Sequence, residues 1–387
     1  MFKNSFISLI LIFLILSINL NITVAEKNVS SPKITAKGAV LIDYETGRVL
    51  WGNNENTPLA MASTTKIMTA ITAIEKGNLS DEVVVSKRSA SAPKTKMNLE
   101  TGEKIQLKNL LYALMLESAN DSAIAIAEHI GGSVENFCSD MTKKAKEIGA
   151  KNTVFKTPNG LDLDDHHSTA YDMAIIARYA LRNETFREII STRSISFKSN
   201  KKSYSFTNKD RLLSEYEGAI GVKTGFTGKA GHCFVGSAKR GNLWLVSTVL
   251  ASGWGNKGKE QKWIDTKNLL NYGFENFEYV TPFTEGEKVC EIPVKKGNTE
   301  TIEALLNNSI KLCIKKDGSE KVRLEKKVPK ELFAPIKKGD KIGFAEVYID
   351  DKLFSKTEII SGTTTAKKTF IDYFENIIKF WSIEKIF

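Results

Sequence analysis

Apolar residues recur at helical spacing through much of the first half of the chain. Ile67, Met68, Ile71 and Ile74 fall on one helical face, and Gly77 follows them. This pattern predicts a helix over residues 65–76 that ends at the glycine. Residues 104–191 repeat the spacing in three runs, which are Leu107/Leu110/Leu111/Leu114, residues 123–130 and Met173/Ile176/Ala177/Ala180. They predict a long helical insert.

Short apolar and β-branched runs on either side of this insert predict strands. They cover residues 39–43 and 48–51, around the turn Tyr44-Glu45-Thr46-Gly47, and residues 219–224, 233–238 and 243–251. A helix is predicted over residues 261–271. Early strands, a helical insert, later strands and a closing helix indicate an α/β (α+β) domain, with an antiparallel sheet flanked by helices. A cleft is expected between the sheet and the insert.

The pattern changes near residue 277 to short alternating strands. They are predicted at residues 289–294, 310–314, 321–324, 341–349 and 353–359, with glycine turns at residues 296–298, 316–318 and 338–340. Short strands at this spacing indicate a small all-β sandwich. The segment carries no catalytic constellation, so a spacer or protein-contact role is expected.

The two ends of the chain are predicted to act as targeting segments. Lys3, the apolar residues 7–16 and the small residues near Thr23-Val24-Ala25 are typical of a secretory signal peptide. The alternative is an uncleaved anchor, but the apolar run is short for a membrane span. The predicted organisation is a signal peptide at 1–25, a catalytic domain at 26–276, a β-sandwich at 277–362, and a linker with a terminal helix at 363–387.

The terminal helix is predicted to be amphipathic. One stripe contains Phe370, Ile371, Phe374, Ile377, Ile378 and Trp381, and the opposite face contains Asp372, Glu375, Asn376, Lys379 and Ser382. A helix of about 20 residues with charges throughout suits the membrane interface better than a span. Trp381, Tyr373, Lys367 and Lys368 are typical interface anchors. The alternative is a helix that packs onto the β-sandwich, although residues 361–366 look like a loose linker.

Ser63 and Lys66 provide the first candidate chemistry. The predicted helix places Lys66 one turn beyond Ser63 on the same face. A serine hydroxyl needs a base to become a good nucleophile, and a lysine serves if burial or a second cation lowers its pKa. Lys223 is a candidate for that cation. On its own, Ser63-Thr64-Thr65-Lys66 also fits a helix-capping serine with a solvated lysine.

Two further strings are ambiguous when taken alone. Ser118-Ala119-Asn120 follows an apolar helix and precedes Asp121, which is predicted to cap the next helix, so it also fits a polar turn. Lys223-Thr224-Gly225 lies in a glycine-rich strand, where close approach of another backbone is expected. It also fits a glycine-rich hairpin on a basic surface.

In this order, the three strings match the S-x-x-K, S-x-N and K-T-G elements of serine acyl-transferases that react with penicillin. The chain resembles the low-molecular-mass penicillin-binding proteins, which are serine-type D-alanyl-D-alanine carboxypeptidases. The resemblance extends over nearly the whole chain and includes residues 158–161, 167–173, 207–208 and 212–213. It implies a penicillin-recognising transpeptidase/β-lactamase-like fold, followed by the small sandwich.

The resemblance also implies the reaction and the roles of the residues. An acyl-enzyme on Ser63 releases the terminal D-alanine of peptidoglycan stem peptides, β-lactams acylate the same serine, and no cofactor is needed. Lys66 is the expected base and Ser118 the proton shuttle. The expected substrate-binding residues are Asn120, Lys223, Thr224, Gly225 and Thr227. The backbone N–H groups of Ser63 and Phe226 are the expected oxyanion hole.

Some residues depart from related patterns. Ala119 replaces the aspartate of the β-lactamase S-D-N string, and no counterpart of the deacylating glutamate is found, which favours a carboxypeptidase. Phe226 stands where histidine or tyrosine is frequent. Residues 253–259 replace an arginine that holds the substrate carboxylate in some members, which leaves Thr227 and lysines for that role. A β-lactamase, a transpeptidase or endopeptidase, and a non-enzymatic wall-binding module remain alternatives.

Composition narrows the expected partners. The net charge of +10 permits nucleic acid, but an exported chain without a nucleic-acid motif favours anionic lipid and wall polymers. The four cysteines and four histidines show no metal-ligand spacing, so no metal is expected. Cys138 and Cys233 fit core packing, whereas Cys290 and Cys313 are candidates for a disulfide. His166 and His167 lie in a polar loop and are expected at the surface, with the rim of the cleft as the alternative. The expected location is the outer face of a bacterial cytoplasmic membrane.

Overall fold

The computed structural model describes residues 30–383 of the chain. The predicted signal peptide, residues 1–25, lies outside the described residues. Within residues 30–383, no helix has the length and apolar character needed to cross a membrane.

A five-stranded antiparallel sheet organises the first part of the fold. The strands before residue 254 are β1 (Gly38–Asp43), β2 (Val49–Asn53), β3 (Glu82–Val84), β4 (Lys104–Gln106), β5 (Ser194–Lys198), β6 (Ser203–Thr207), β7 (Ala219–Thr227), β8 (Gly231–Arg240) and β9 (Leu243–Leu250). The sheet has the order β2–β1–β9–β8–β7, while β3–β4 and β5–β6 form two small hairpin-like pairs. Strand β7, which carries the K-T-G string, is therefore an edge strand.

Helices cover both faces of this sheet. They are α1 (Lys66–Lys76), α2 (Lys87–Ala90), α3 (Leu107–Tyr112), α4 (Asn120–Gly131), α5 (Val134–Glu147), α6 (Ala170–Ala180), α7 (Glu184–Ser191), α8 (Leu212–Glu215) and α9 (Gly255–Asn276). Val235 and Ile67 belong to the apolar cluster on one face, and Phe234 and Trp263 belong to the cluster on the other. The predicted antiparallel sheet flanked by helices is confirmed.

The helical run predicted from Leu107, Leu110, Leu111 and Leu114 is interrupted. Helix α3 ends at Tyr112, and Ala113–Glu117 forms a π-helical turn that ends at Ser118, whose φ is +67°. Wide turns of this kind are frequent at functional sites. The turn separates α3 from α4 and sets the position of the S-x-N string.

The prediction that Asp121 caps α4 is wrong. The residue before the helix is Ala119, and Asp121 lies in the first turn. The Asp121 carboxylate instead accepts the backbone N–H groups of Met97 and Leu99, each at 3.0 Å. These buried loop donors need an acceptor, because no strand or helix partner satisfies them. Asp121 therefore holds the loop between α2 and β4 against the start of α4.

The remainder of the chain is an all-β unit followed by a helix. Its strands are β10 (Phe277–Phe283), β11 (Lys288–Lys295), β12 (Thr301–Leu306), β13 (Ile310–Lys315), β14 (Val322–Lys327), β15 (Leu332–Phe333), β16 (Lys341–Ile349) and β17 (Lys352–Ser361). A two-stranded sheet, β10–β13, accompanies a six-stranded sheet in the order β14–β16–β17–β12–β11–β15. The all-β prediction is confirmed, although β10, β12 and β15 were not predicted.

All four cysteines are free thiols. Cys313 is buried with Phe277 in the cluster beneath the large sheet, whereas Cys290 packs against the core of the β unit. The two residues that were candidates for a disulfide belong to different apolar clusters. Burial raises the pKa of the Cys233 thiol to about 12, which keeps it protonated.

The segment before the last helix is not a loose linker. Thr365 and Ile336 form a β-bridge, Asn298 Oδ1 accepts the Ala366 N–H at 3.0 Å, and the Lys368 N–H donates to the Lys296 carbonyl at 2.8 Å. The expectation of a flexible connection is therefore wrong, since residues 365–368 are fastened to the β unit.

The last helix, α10 (Phe370–Ile383), presents apolar side chains to solvent. Phe370 is 83% exposed, Ile371 67%, Phe374 55% and Ile377 56%. A helix that packed its apolar stripe onto the β unit would bury these residues. Their exposure does not support the alternative in which α10 is a packing helix.

Candidate active site

Ser63 and Lys66 lie at the junction of a short 3₁₀ turn and α1. The turn covers Ala62–Thr65, and Lys66 is the first residue of the α-helix. Lys66 Nζ is 2.9 Å from Ser63 Oγ, as expected for residues one turn apart. Ala62 has a φ of +48°, which places a non-glycine residue in the left-handed region immediately before the serine. Such strain is frequent at functional sites.

Lys66 is completely buried and has no carboxylate partner within residues 30–383. Burial holds the pKa of Lys66 well below its usual value, the Lys223 ammonium lowers it further, and Asp121 acts in the opposite direction. Desolvation of an unpaired ammonium is costly, so the site favours the neutral amine. A neutral amine is the form that accepts a proton.

The neighbours of Lys66 fix the direction of its lone pair. Besides Ser63 Oγ, Nζ contacts Asn120 Oδ1 at 2.9 Å and the Asn159 carbonyl oxygen at 2.5 Å. These two oxygens only accept hydrogen bonds, so they take the two N–H groups of the neutral amine. The remaining lone pair then faces Ser63 Oγ.

Asn120 is oriented by the loop opposite α1. Its Nδ2 donates to the carbonyl oxygens of Pro93 and Lys94, at 3.2 and 3.1 Å. This arrangement directs Oδ1 toward Lys66, which agrees with the predicted proximity of the two strings. Ser118 is half-buried at the end of the π turn, and its side chain forms no hydrogen bond with any described residue.

The K-T-G string lies on β7 beside the nucleophile turn. A Cβ added to Gly225 would lie 2.9 Å from Ser63 N and 3.1 Å from Met61 O. These neighbours are backbone atoms that cannot move aside independently, so only glycine allows this approach. The edge strand therefore lies against the backbone N–H of Ser63.

Lys223 is buried beside this contact. Its Nζ donates to the Thr224 carbonyl oxygen at 3.1 Å, and burial lowers the pKa of Lys223 to about 7. Thr224 is half-buried on the same strand. The structure thus brings the Ser63, Lys66, Asn120 and Lys223 side chains to one region, as the sequence predicted.

The end of β7 forms one rim of the site. Thr227 Oγ1 donates to Asp162 Oδ1 at 3.0 Å and accepts the Ala230 N–H at 3.0 Å. The Phe226 ring is half-exposed and stacks on His232, with the ring centroids 4.3 Å apart. Thr227 thus links the strand to the loop that carries Asn159, a contact that the sequence did not reveal.

The loop over residues 156–166 contributes more to the site than its sequence indicated. Its Asn159 carbonyl accepts from Lys66, and also from Ser63 Oγ at 3.4 Å. A backbone carbonyl leaves no side-chain signature, so only the Pro158-Asn159-Gly160 turn signal pointed to this position.

The expectation that His166 is a surface residue is wrong. His166 is buried, its Nδ1 accepts the Lys156 N–H at 3.0 Å, and its Nε2 lies 3.1 Å from Thr65 Oγ1. Because Nδ1 accepts, the proton is assigned to Nε2, which donates to Thr65. Burial lowers the pKa of His166 to about 4, so the ring is neutral and braces the loop on the nucleophile turn. His167 remains partly exposed near Asp165.

Within the described part of the chain, no group of three His, Cys, Asp or Glu residues is arranged to hold a metal ion. The chemistry available at the site is that of a serine with a buried amine base, backbone donors and a second lysine.

Comparisons with known proteins agree with this arrangement. Residues 25–253 match a family model described as D-alanyl-D-alanine carboxypeptidase, and residues 277–367 match one described as the C-terminal domain of penicillin-binding protein 5. The D-alanyl-D-alanine carboxypeptidase DacF of Bacillus subtilis is 36% identical over 354 residues, which cover 90% of each chain.

Two solved structures extend the comparison. Penicillin-binding protein 5 from Haemophilus influenzae has a TM-score of 0.74 and 30% identity, with coverage of 87% of this chain and 99% of that one. A mutant of the Streptomyces K15 DD-transpeptidase has a TM-score of 0.59 and 33% identity, with coverage of 63% of this chain and 100% of that one.

Proposed function

The chain belongs to the family of serine-type D-alanyl-D-alanine carboxypeptidases, and we propose that it releases the terminal D-alanine of peptidoglycan stem peptides through an acyl-enzyme on Ser63. The observation that carries this proposal is the fully buried Lys66 amine, 2.9 Å from Ser63 Oγ. Two carbonyl acceptors direct its lone pair at the hydroxyl, which is the requirement for a general base.

Acylation begins when Ser63 Oγ attacks the carbonyl carbon of the penultimate D-alanine. The hydroxyl proton moves to Lys66 Nζ as the C–O bond forms. The backbone N–H groups of Ser63 and Phe226 stabilise the oxyanion. The close approach of Gly225 to Ser63 N supports this assignment, because it brings the strand that carries Phe226 beside the serine.

The tetrahedral intermediate collapses when the C–N bond breaks and the terminal D-alanine leaves. Its amine takes the proton held by Lys66, and Ser118 relays that proton. Water then attacks the ester, gives its proton to Lys66, and the Ser63 oxygen leaves with that proton restored. Ser118 is half-buried two residues before Asn120, which contacts Lys66, and its hydroxyl forms no hydrogen bond with a described residue; both observations support its role as a relay.

Substrate binding uses the residues around Lys223. The Lys223 ammonium attracts the terminal carboxylate, and the Thr224 hydroxyl on the same strand donates to it. The Thr227 hydroxyl, which donates to Asp162 Oδ1 in the free site, turns to donate to the carboxylate when the substrate binds. Gly225 lets the peptide pair with the edge of β7, and Asn120 holds the substrate amide. The position of β7 at the edge of the sheet supports this mode of peptide binding.

Penicillin is proposed to acylate the same serine. The β-lactam carbonyl replaces the carbonyl of the penultimate D-alanine, and the ring C–N bond breaks in place of the peptide bond. The leaving amine remains tethered in this product. Inhibition by β-lactams then follows from slow attack of water on the adduct.

Transpeptidation is a second candidate, because the chain is similar to a protein described as a DD-transpeptidase. An amine would replace water as the attacking group in the second half of the reaction. Analysis of products from wall fragments, with and without an added amine acceptor, separates hydrolysis from transfer.

Export and membrane attachment are also part of the proposal. The signal-peptide pattern at residues 1–25 would deliver the enzyme outside the cytoplasm, where its wall substrate lies. The exposed apolar side chains of α10 support attachment of the folded protein to the outer face of the cytoplasmic membrane. The enzyme would then work on wall polymer close to the bilayer.

The direct test uses the chain from residue 26 and a pentapeptide that ends in D-Ala-D-Ala. Release of free D-alanine by the wild type and its absence from Ser63→Ala would support the proposal. Lys76→Ala, at the exposed end of the same helix, is the matched control and should retain activity. A wild-type protein that is folded and releases no D-alanine would contradict the proposal.

A further inference from the structure

A buried carboxylate near Lys223 takes no part in the proposed reaction. Asp210 lies in the loop between β6 and α8 and is 7% exposed. Its Oδ1 accepts the Leu212 N–H at 2.9 Å, which accounts for one oxygen. The other oxygen, Oδ2, is buried and has no hydrogen-bond partner among the described residues. A buried polar atom without a partner requires an explanation.

The unpartnered oxygen faces strand β7. A Cβ added to Gly221 would lie 3.6 Å from Asp210 Oδ2, so the carboxylate lies against this part of the strand. Gly221 and Lys223 pair in regular register with β8, and alternate residues of a strand share a face. Asp210 and the Lys223 side chain therefore lie on the same side of β7.

Titratable groups from four surrounding elements face Lys223. Lys209 from the loop and Lys262 from α9 lower its pKa, while Glu117 from the π turn raises it. Lys66 from α1 is the fourth group, and its own depressed pKa keeps it a neutral amine beside the Lys223 ammonium. Glu117 is already paired with Lys209, at 2.5 Å. Among the charged groups that act on Lys223, Asp210 has the largest effect and favours the protonated ammonium.

The two groups influence each other across the buried space. Burial lowers the pKa of Lys223 to about 7 and raises the pKa of Asp210 to about 7. Each charge is costly alone and less costly beside the other. Without the carboxylate, Lys223 would be a buried amine among three other lysines.

We propose that Asp210 is a positioning residue that keeps Lys223 protonated and directed into the site, where the ammonium binds the carboxylate of the substrate. This assignment rests on the proposed function, in which Lys223 recognises the terminal carboxylate. Asp210 does not touch the substrate and acts only through the lysine.

The Asp210→Asn variant separates this role from a structural one. The asparagine amide oxygen retains the hydrogen bond to Leu212 N–H, and the side chain keeps its size, but the negative charge is lost. Removal of that charge lowers the pKa of Lys223, so the lysine loses its proton at a lower pH. The alkaline limb of kcat/KM for a D-Ala-D-Ala peptide should move down by about one pH unit or more.

The loss should appear in KM and not in kcat, and it should exceed about tenfold on the alkaline side of the limb. Acylation by a thioester without a C-terminal carboxylate should change little. Asp43→Asn, which removes a buried carboxylate on β1, is the matched control and should leave the position of the limb unchanged. Asp210→Ser retains an acceptor for Leu212 and should reproduce the shift if the asparagine variant does not fold.

An alkaline limb in Asp210→Asn that coincides with the wild-type limb would overturn this assignment while leaving the proposed function intact. Equal losses of activity on carboxylate and neutral substrates would overturn it in the same way. A wild-type enzyme that releases no D-alanine would overturn the proposed function and this assignment with it.

Discussion

The chemistry of the site depends on where a few polar atoms are buried. Lys66 would be an ordinary cation at the surface, but at the start of a buried helix it is an amine with two carbonyl acceptors and one hydroxyl neighbour. The second lysine, Lys223, makes protonation of Lys66 less favourable. Burial and the neighbouring groups, more than the residue type alone, therefore make Lys66 a base.

Replacement of the base should slow acylation far more than binding. Lys66→Ala should reduce the acylation rate constant by about 10²–10⁴-fold, because a positioned general base contributes that much. Stopped-flow measurement with a fluorescent penicillin gives the rate constant and the affinity separately. Acylation of Lys66→Ala at the wild-type rate would assign the base role to another group.

The two lysines should also be linked in the pH profile of acylation. Lys66 must be neutral to accept a proton, so the rate should fall as pH drops through its depressed pKa. Lys223→Ala removes a charge that lowers the pKa of Lys66, so the acidic limb should move to higher pH. The rate constant at saturating penicillin should be measured, so that weaker binding does not enter. An acidic limb that stays in place or moves to lower pH in Lys223→Ala would show that Lys223 does not lower the pKa of Lys66.

The sequence predicted which side chains form the site better than it predicted which backbone atoms do. The three strings identified Ser63, Lys66 and Lys223 as neighbours, and the structure places them together. The Asn159 carbonyl could not be predicted as a partner of Lys66, since it is a main-chain atom brought in from 93 residues away. The prediction that His166 lies at the surface was wrong, because a polar loop sequence gives no sign that the loop packs against the start of α1.

At the scale of elements, three segments converge on the nucleophile turn. Strand β7 approaches through Gly225, and the 156–166 loop approaches through Gly160, where an added Cβ would lie 1.9 Å from Ala62 O. The π turn at Ala113–Glu117 leads into the segment that carries Asn120, whose Oδ1 contacts Lys66 Nζ. The site is therefore sensitive to small shifts of elements that contribute no reacting group.

Gly225→Ala should reduce acylation by about 100-fold, since displacement by about 1 Å in an active site costs that much. The reason is the contact at 2.9 Å between the added Cβ and Ser63 N. Gly228→Ala is the matched control, because an added Cβ there meets nothing within 4 Å. Rates of penicillin acylation should be compared for both folded variants. Equal rates would show that β7 does not need this close approach.

Deletion of α10 tests its proposed role in membrane attachment. Deletion of residues 370–387 leaves the hydrogen bonds of residues 365–368 in place and removes the exposed apolar side chains. The truncated protein should no longer sediment with phosphatidylglycerol vesicles, while the rate of penicillin acylation should not change. Continued sedimentation, or a loss of folding stability instead of binding, would contradict the attachment role.

Element predictions succeeded where periodicity was strong and failed where composition was misleading. Strand β12 has a clear inside–outside alternation, but its Glu303, Ala304 and Leu305 are good helix formers. Residues 361–366 contain Ser361, Gly362 and three threonines, and were interpreted as a loose linker. The hydrogen bonds of Thr365 to the turn between β11 and β12 depend on partners 66 and 67 residues away, which local patterns do not contain.

At the scale of the whole molecule, the β unit and the large sheet are joined by polar contacts. Arg48, beside β2, forms a largely buried ion pair with Glu320 and donates to the Cys313 carbonyl oxygen. Tyr279 Oη donates to Asp43 Oδ1 at 2.9 Å. Arg48 and Glu320 are 272 residues apart, so the sequence predicted both units but not how they are joined.

Loss of one partner in this junction should destabilise the protein. Glu320→Ala leaves the Arg48 guanidinium, whose side chain is 16% exposed, without its carboxylate, and should reduce the free energy of unfolding by about 3 kcal/mol. Glu358→Ala removes an exposed ion pair with Lys341 and should cost less than about 1 kcal/mol. Urea unfolding measures the free energy of unfolding of both variants. Equal losses would show that the buried pair at the junction contributes no more stability than an exposed pair.

The central claim is that Ser63 becomes acylated with Lys66 as its base, and mass mapping of a penicillin adduct tests it most directly. The wild-type protein should gain one penicilloyl group on the peptide that contains Ser63, and Ser63→Ala should gain none. The labelled peptide should lose the group on treatment with hydroxylamine, as an ester does. Labelling of a different residue, or undiminished labelling of Ser63→Ala, would contradict the account.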